Sequence, residues 1–84
     1  MIMIINNKTM VLFEKKLGNY LLLELKQDNA TGELVLTLYK KWSKYFGYEP
    51  TGNTFTFAKE QREKALIIYD SINLKNVYQT FKKL

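Results

Sequence analysis

Three stretches of the chain alternate apolar and polar residues with a period of two. Val11 and Phe13 fall on one face, while Leu12, Glu14 and Lys16 fall on the other. Leu21, Leu23 and Leu25 alternate with Tyr20, Leu22, Glu24 and Lys26, and Leu34, Leu36 and Leu38 alternate with Val35, Thr37, Tyr39 and Lys41. Successive side chains of a strand point to opposite faces, so each stretch predicts a strand with one markedly apolar side. The turns between them set the register. A two-residue turn at Gly18-Asn19 places Phe13 opposite Glu24 and mixes the faces. A loop of Leu17-Gly18-Asn19 places Phe13 opposite Leu23 and Val11 opposite Leu25, and is preferred because a one-residue slip exchanges buried and exposed sides. A four-residue loop at Asp28-Asn29-Ala30-Thr31 then aligns Leu25 with Leu34 and Leu23 with Leu36. The product is an antiparallel meander.

Residues 43–53 contain the only proline, Pro50, with Gly47 and Gly52, and read as an irregular loop. A short strand, Thr54 to Phe57, follows. Helical spacing takes over near Ala58, with Glu60 and Glu63 in the early turns where the helix dipole favours acids. Ala65, Ile68, Tyr69 and Ile72 share one helical face. Leu74, Val77, Tyr78 and Phe81 are also helically spaced, but on an uninterrupted helix they would lie almost opposite the first group. The helix therefore either breaks near Ser71–Asn73 or offers a second apolar face elsewhere; a break is preferred. The predicted fold is α+β, in one domain covering 1–84. It is an antiparallel meander of four strands, or five if Ile2–Ile5 adds one, followed by a C-terminal helical segment over 58–84.

Eighty-four residues leave no room for a cofactor domain beside a substrate domain, and a chain this short buries only roughly 60–65% of its unfolded surface. It has no cysteine and no histidine. Disulfides, thiolate metal sites, cysteine nucleophiles and Ser-His-Asp triads are excluded, and the commonest general base is missing. The eight acids are scattered. An enzyme is not expected, and no cofactor or metal is implied. The run Met1–Ile5 is too short to span a bilayer and lacks the marks of a signal peptide, so a cytoplasmic location is expected. Twelve lysines, one arginine and seven asparagines point to an AT-rich genome, such as that of a low-GC bacterium, a phage or a plasmid.

The net charge of +5 is uneven. Residues 1–39 and 58–70 balance; the surplus lies in 40–57 and in the tail with Lys75, Lys82 and Lys83. The segment Tyr39-Lys40-Lys41-Trp42-Ser43-Lys44-Tyr45-Phe46-Gly47-Tyr48 interleaves lysines with aromatic rings. That pattern suits single-stranded nucleic acid, where ammonium groups meet phosphates and bases stack on rings. Trp42 and Phe46 equally suit a plug at the open end of a small core, with the lysines as its solvated rim. A single arginine argues against base-specific duplex readout.

From Gly32 to Trp42, and again from Gly52 through Asn53-Thr54-Phe55-Thr56-Phe57-Ala58-Lys59-Glu60-Gln61, the chain resembles the positive-cofactor-four family of transcriptional coactivators. The likeness covers about residues 32–65. It implies a β-β-β-β-α fold, dimerisation and single-stranded DNA binding, with Lys40, Lys41 and Trp42 near the DNA. The first two strands are less basic than the family's nucleic-acid face, and the tail after Ile72 is longer.

The leading expectation is a small non-enzymatic protein that binds single-stranded DNA or RNA with little sequence preference. Lys16, Lys26, Tyr39, Lys40, Lys41, Trp42, Lys44, Tyr45 and Tyr48 are the residues expected to carry it. The alternative is a phage- or plasmid-encoded inhibitor that occludes a host protein such as a nuclease. One helix covers one sheet face only, leaving the other too apolar to stay wet without a reason. That face binds a ligand, pairs with a second subunit, or lies under the tail. A two-fold dimer is expected, with Leu12, Tyr20, Leu22, Val35, Leu74, Val77, Tyr78 and Phe81 as its interface.

Overall fold

A computed structural model of the chain describes residues 8–84. Four strands, β1 (Thr9–Leu17), β2 (Leu21–Asp28), β3 (Leu34–Lys41) and β4 (Tyr48–Phe57), form one antiparallel sheet in sequence order. A 3-10 turn, Lys59–Gln61, leads into helix α1 (Arg62–Ser71), and helix α2 (Val77–Lys83) ends the chain. The fold is α+β, as the periodicity predicts. The strand expected at Ile2–Ile5 lies outside the described residues. No helix among the described residues is long and apolar enough to cross a membrane.

From Phe13 onward the faces follow the predicted alternation, but both hairpin registers are displaced by two residues, and at the β1 bulge Val11, expected to share the face of Phe13, pairs with outward Lys26 instead. Leu17 pairs with Leu21 and Phe13 with Leu25, so the first turn is Gly18-Asn19-Tyr20. The predicted turn would have left Leu17 in the loop. The observed one buries it, and Gly18 takes the left-handed conformation (φ 69°) that closes the turn. In the second hairpin Leu25 pairs with Leu36 and Leu23 with Leu38. The turn is longer because local bonds extend it. Asp28 Oδ1 accepts the Ala30 N–H at 2.9 Å, Gly32 N–H donates to the Asp28 carbonyl at 2.7 Å, and Asp28 N–H donates to the Glu33 carbonyl at 2.8 Å.

The fourth strand begins at Tyr48 rather than Thr54, so the irregular connection is much shorter than 43–53. Pro50 and Gly52 are tolerated because β4 is an edge strand. The ladder shifts between Thr37–Thr54 and Tyr39–Pro50, with Thr51, Gly52 (φ 94°) and Asn53 bulging opposite Leu38. Thr51 Oγ1 donates to the Leu38 carbonyl at 2.9 Å, satisfying a group that the bulge would otherwise leave without its ladder partner.

Both helices pack on the same sheet face. Leu17, Leu21, Leu23, Leu25, Leu34, Leu36, Leu38 and Phe57 form one buried cluster with Ala65, Tyr69, Ile72 and Val77. The break between the helices is built by two asparagines. Asn73 Oδ1 accepts from the N–H groups of Lys75 and Asn76, Asn76 Oδ1 accepts from the Asn73 N–H, and Asn76 Nδ2 donates to the Ser71 carbonyl. Ile72, extended (φ −79°, ψ 133°), and Val77 point into the core from either side of that box. The tail thus doubles back onto the inner face and does not cover the outer one. Three expected interface residues change place accordingly. Val77 is fully buried, Phe81 packs against the core, and Leu12, in the bulge between Val11 and Phe13, packs against it too.

Candidate functional site

The alternation that builds β3 also separates the residues expected to bind nucleic acid. Tyr39 and Lys41 point to the outer face, and Lys40, facing Leu21, points to the helix side. Lys16 shares the outer face through its pairing with Leu22, and Tyr48 through its pairing with Lys41. Lys26 is also outward but lies well along β2, opposite Val35, roughly 20 Å from the β3–β4 end at 3.3 Å per residue.

Two of the outer residues are held by one carboxylate. The Tyr39 hydroxyl donates to Glu24 Oε1 at 2.9 Å, and Lys26 Nζ lies 3.9 Å from the same oxygen. Burial, and then the bond to Glu24 with its charge, pushes the Tyr39 pKa up to about 12. Beside them the Thr37 and Thr54 hydroxyls meet at 3.1 Å. Tyr39 and Lys26 therefore belong to a polar cluster that organises the outer face, rather than to a set of free contacts.

The remaining residues do gather, around the end where β3 turns into β4. Lys40 Nζ lies 4.5 Å from the centre of the Trp42 ring, Lys41 Nζ 5.2 Å from that of Tyr48, and Lys44 Nζ 5.4 Å from that of Tyr45. Trp42, Tyr45 and Phe46 are 66%, 81% and 65% exposed. The core-plug reading of Trp42 and Phe46 therefore fails: these rings stand in solvent. The turn is shaped by Ser43, whose hydroxyl accepts the Tyr45 N–H at 3.1 Å and whose carbonyl accepts the Phe46 N–H at 3.3 Å. Tyr48 differs, because its hydroxyl is buried without a hydrogen-bond partner among the described residues.

Two exposed tyrosines assigned from sequence to the interface join this end. Tyr20 is held next to β3 by the bond from Lys41 N–H to its carbonyl at 2.8 Å. Tyr78 of α2 borders two hollows that Lys40 also lines, one of them together with Trp42. Sequence reasoning missed this placement because it depends on the helix break, which folds the tail back over the sheet. Among the described residues no cluster of three or more acids gathers to hold a metal. The site offers exposed flat rings, lysine cations and backbone turns.

No family model, curated protein or solved structure matches this chain, so the geometry carries the functional reading.

Proposed function

We propose that the protein binds single-stranded nucleic acid, without catalysis and with little sequence preference. One observation carries this reading: three lysines at one end of the sheet each stand over an aromatic ring, and two of those rings, with Phe46, are largely exposed. Magnitudes favour an exchange. A lysine leaving an exposed ring gives up about 0.5–1 kcal/mol. A base stacking on the freed ring contributes about 1–3 kcal/mol, and the lysine gains a phosphate with release of counterions. The resemblance over residues 32–65 supports the same reading. The outer face, where Leu22 and Val35 flank Thr37 and Tyr39, is the seam we propose for a two-fold dimer.

Fluorescence anisotropy with a short unstructured oligonucleotide tests the binding. If Lys40, Lys41 and Lys44 each neutralise one phosphate, log K falls against log salt with a slope of about −2. Absence of binding at low salt, with protein at tens of micromolar, overturns the proposal.

A further inference from the structure

Two hollows of similar size open on the helix side of the sheet, and they share a wall. The first, of about 310 Å³, is lined by Trp42, Glu49, Pro50, Thr51 and Asn53, with Lys40 and Tyr78. The second, of about 330 Å³, lies over the first turn, bordered by Gly18, Tyr20 and Leu74, again with Lys40 and Tyr78. Lys40 and Tyr78 are the residues common to both. Leu74 packs close over Gly18: a Cβ there would stand 3.1 Å from Leu74 Cδ2, so the second hollow is floored by apolar side chain and bare backbone.

Resting on the single-strand reading, we propose that each hollow takes one base of two consecutive nucleotides and that the phosphate between them lies over Lys40. The size is that of the smallest ligand sites, suited to one ring system rather than an extended cofactor. The walls are stacking surfaces: Trp42 beside the first hollow, Tyr20 beside the second, and half-exposed Tyr78 between them. In the first hollow Glu49 and Asn53 face a base edge, where a carboxylate accepts from a base N–H such as the ring imide of thymine or uracil and disfavours phosphate. The shared wall is positive. Lys40 stands there, and Lys82 follows Tyr78 by one helical turn on the same strip of α2. The tail from residue 71 onward carries Lys75, Lys82 and Lys83 and only Asp- and Glu-free sequence, so the strand meets a basic approach on that side. This places the strand in the cleft between α2 and the sheet rather than on the outer face that carries Lys16, Lys26 and Tyr39.

The test uses the full chain with labelled oligothymidylate and oligouridylate of equal length, and with an abasic deoxyribose-phosphate strand as control. Binding of either pyrimidine strand supports the single-strand reading, and the variants and the abasic control judge the site. Fluorescence of Trp42, the only tryptophan, is expected to quench on binding. Tyr78→Ala is expected to weaken binding roughly tenfold, and Tyr78→Phe, which keeps the ring, to leave it within about twofold. Circular dichroism establishes that both variants fold. If wild type binds but Tyr78→Ala binds equally well, while Lys26→Ala with Lys16→Ala abolishes binding, the cleft is overturned and the single-strand reading stands. If the abasic strand binds as tightly as the others, stacking in the hollows is overturned. If wild type binds no strand at all, the function and the site fall together.

Discussion

Lys15 ties the edge strand to helix α1 through Tyr69. Its ammonium donates to the Tyr69 carbonyl at 2.9 Å and stands 4.6 Å from the centre of the same residue's ring. Phe13, two residues back on the same face of β1, meets that ring at 5.9 Å. The Tyr69 ring is thus held by two of the inward residues of the edge strand. The Tyr69 carbonyl also accepts from Ile72 N–H at 3.2 Å, so removing the lysine does not orphan it. Lys15→Met is therefore expected to cost about 1 kcal/mol, the worth of one charge-assisted bond less the retained apolar stem. Lys16→Met, on the opposite face, is expected to change stability by less than about 0.5 kcal/mol. Urea unfolding of the two variants measures the difference, and equal effects would refute this role for Lys15.

Tyr39 makes stability depend on pH at the alkaline end. Its folded pKa, about 12, lies above the ordinary value of 10.0 because burial and Glu24 disfavour the phenolate. The folded state thus holds this proton more tightly than the unfolded chain does. The associated stability is fully present below pH 10.0 and is lost as pH rises toward about 12. Tyr69 is shifted upward too, by burial and then by Asp70 and Glu14, and contributes in the same direction. Every other group is common to wild type and variant, so comparison isolates the tyrosine. Tyr39→Phe is expected to flatten the fall in denaturation midpoint across this window. Parallel curves for the two proteins would show that Tyr39 does not contribute.

Outside the β1 bulge, which turns Val11 outward, the faces of the meander were legible in the sequence and its registers were not, for one physical reason. Slipping a strand by two residues preserves every inward and outward assignment, so periodicity cannot distinguish Phe13 opposite Leu23 from Phe13 opposite Leu25. Turn chemistry decides, through the left-handed conformations of Gly18 and Gly32 and the bond from Gly32 N–H to the Asp28 carbonyl. The helix break was legible because Leu74, Val77, Tyr78 and Phe81 fall out of phase with α1. Its consequence was not, since the Asn73–Asn76 box turns α2 toward the inner face. The lysine–aromatic segment was visible as composition, but its division between two faces followed from where β3 ends. The early start of β4 was hidden by Pro50 and Gly52, which only an edge strand with a bulge accommodates.

Gly32 offers a direct check on the second turn. Its φ of 79° is unfavourable for any residue with a Cβ, and that atom would stand 3.1 Å from Lys59 Cβ. Gly32→Ala is expected to destabilise by about 1–2 kcal/mol. Gly47 has nothing within 4 Å of a built Cβ and no left-handed φ. Gly47→Ala is expected to be neutral within about 0.5 kcal/mol. Thermal melts of the pair give the comparison, and a neutral Gly32→Ala would mean that the turn is built otherwise.

The outer face sets the last expectation. The dimer expected from sequence drew on both sheet and tail, but Val77 and Phe81 are taken up by the chain's own core. Only a sheet-to-sheet seam then remains on that side. Leu22 and Val35 lie there half-buried, with Lys16 and Lys26 among Glu14 and Glu24, and no described element covers them. A two-fold axis through such a face brings identical patches together, so apolar meets apolar and each copy's lysines approach the other's acids. Sedimentation is expected to show dimers at tens of micromolar that dissociate on dilution. Leu22→Lys combined with Val35→Lys is expected to give monomers by like-charge crowding, while the isolated chain changes stability by less than about 1 kcal/mol. Because the two hollows lie on the opposite face, that monomer should still bind oligothymidylate with the affinity of wild type. Monomers of wild type at every concentration would eliminate the seam, and clearly tighter oligonucleotide binding by the double variant, whose added lysines attract phosphate, would place the strand on the outer face instead.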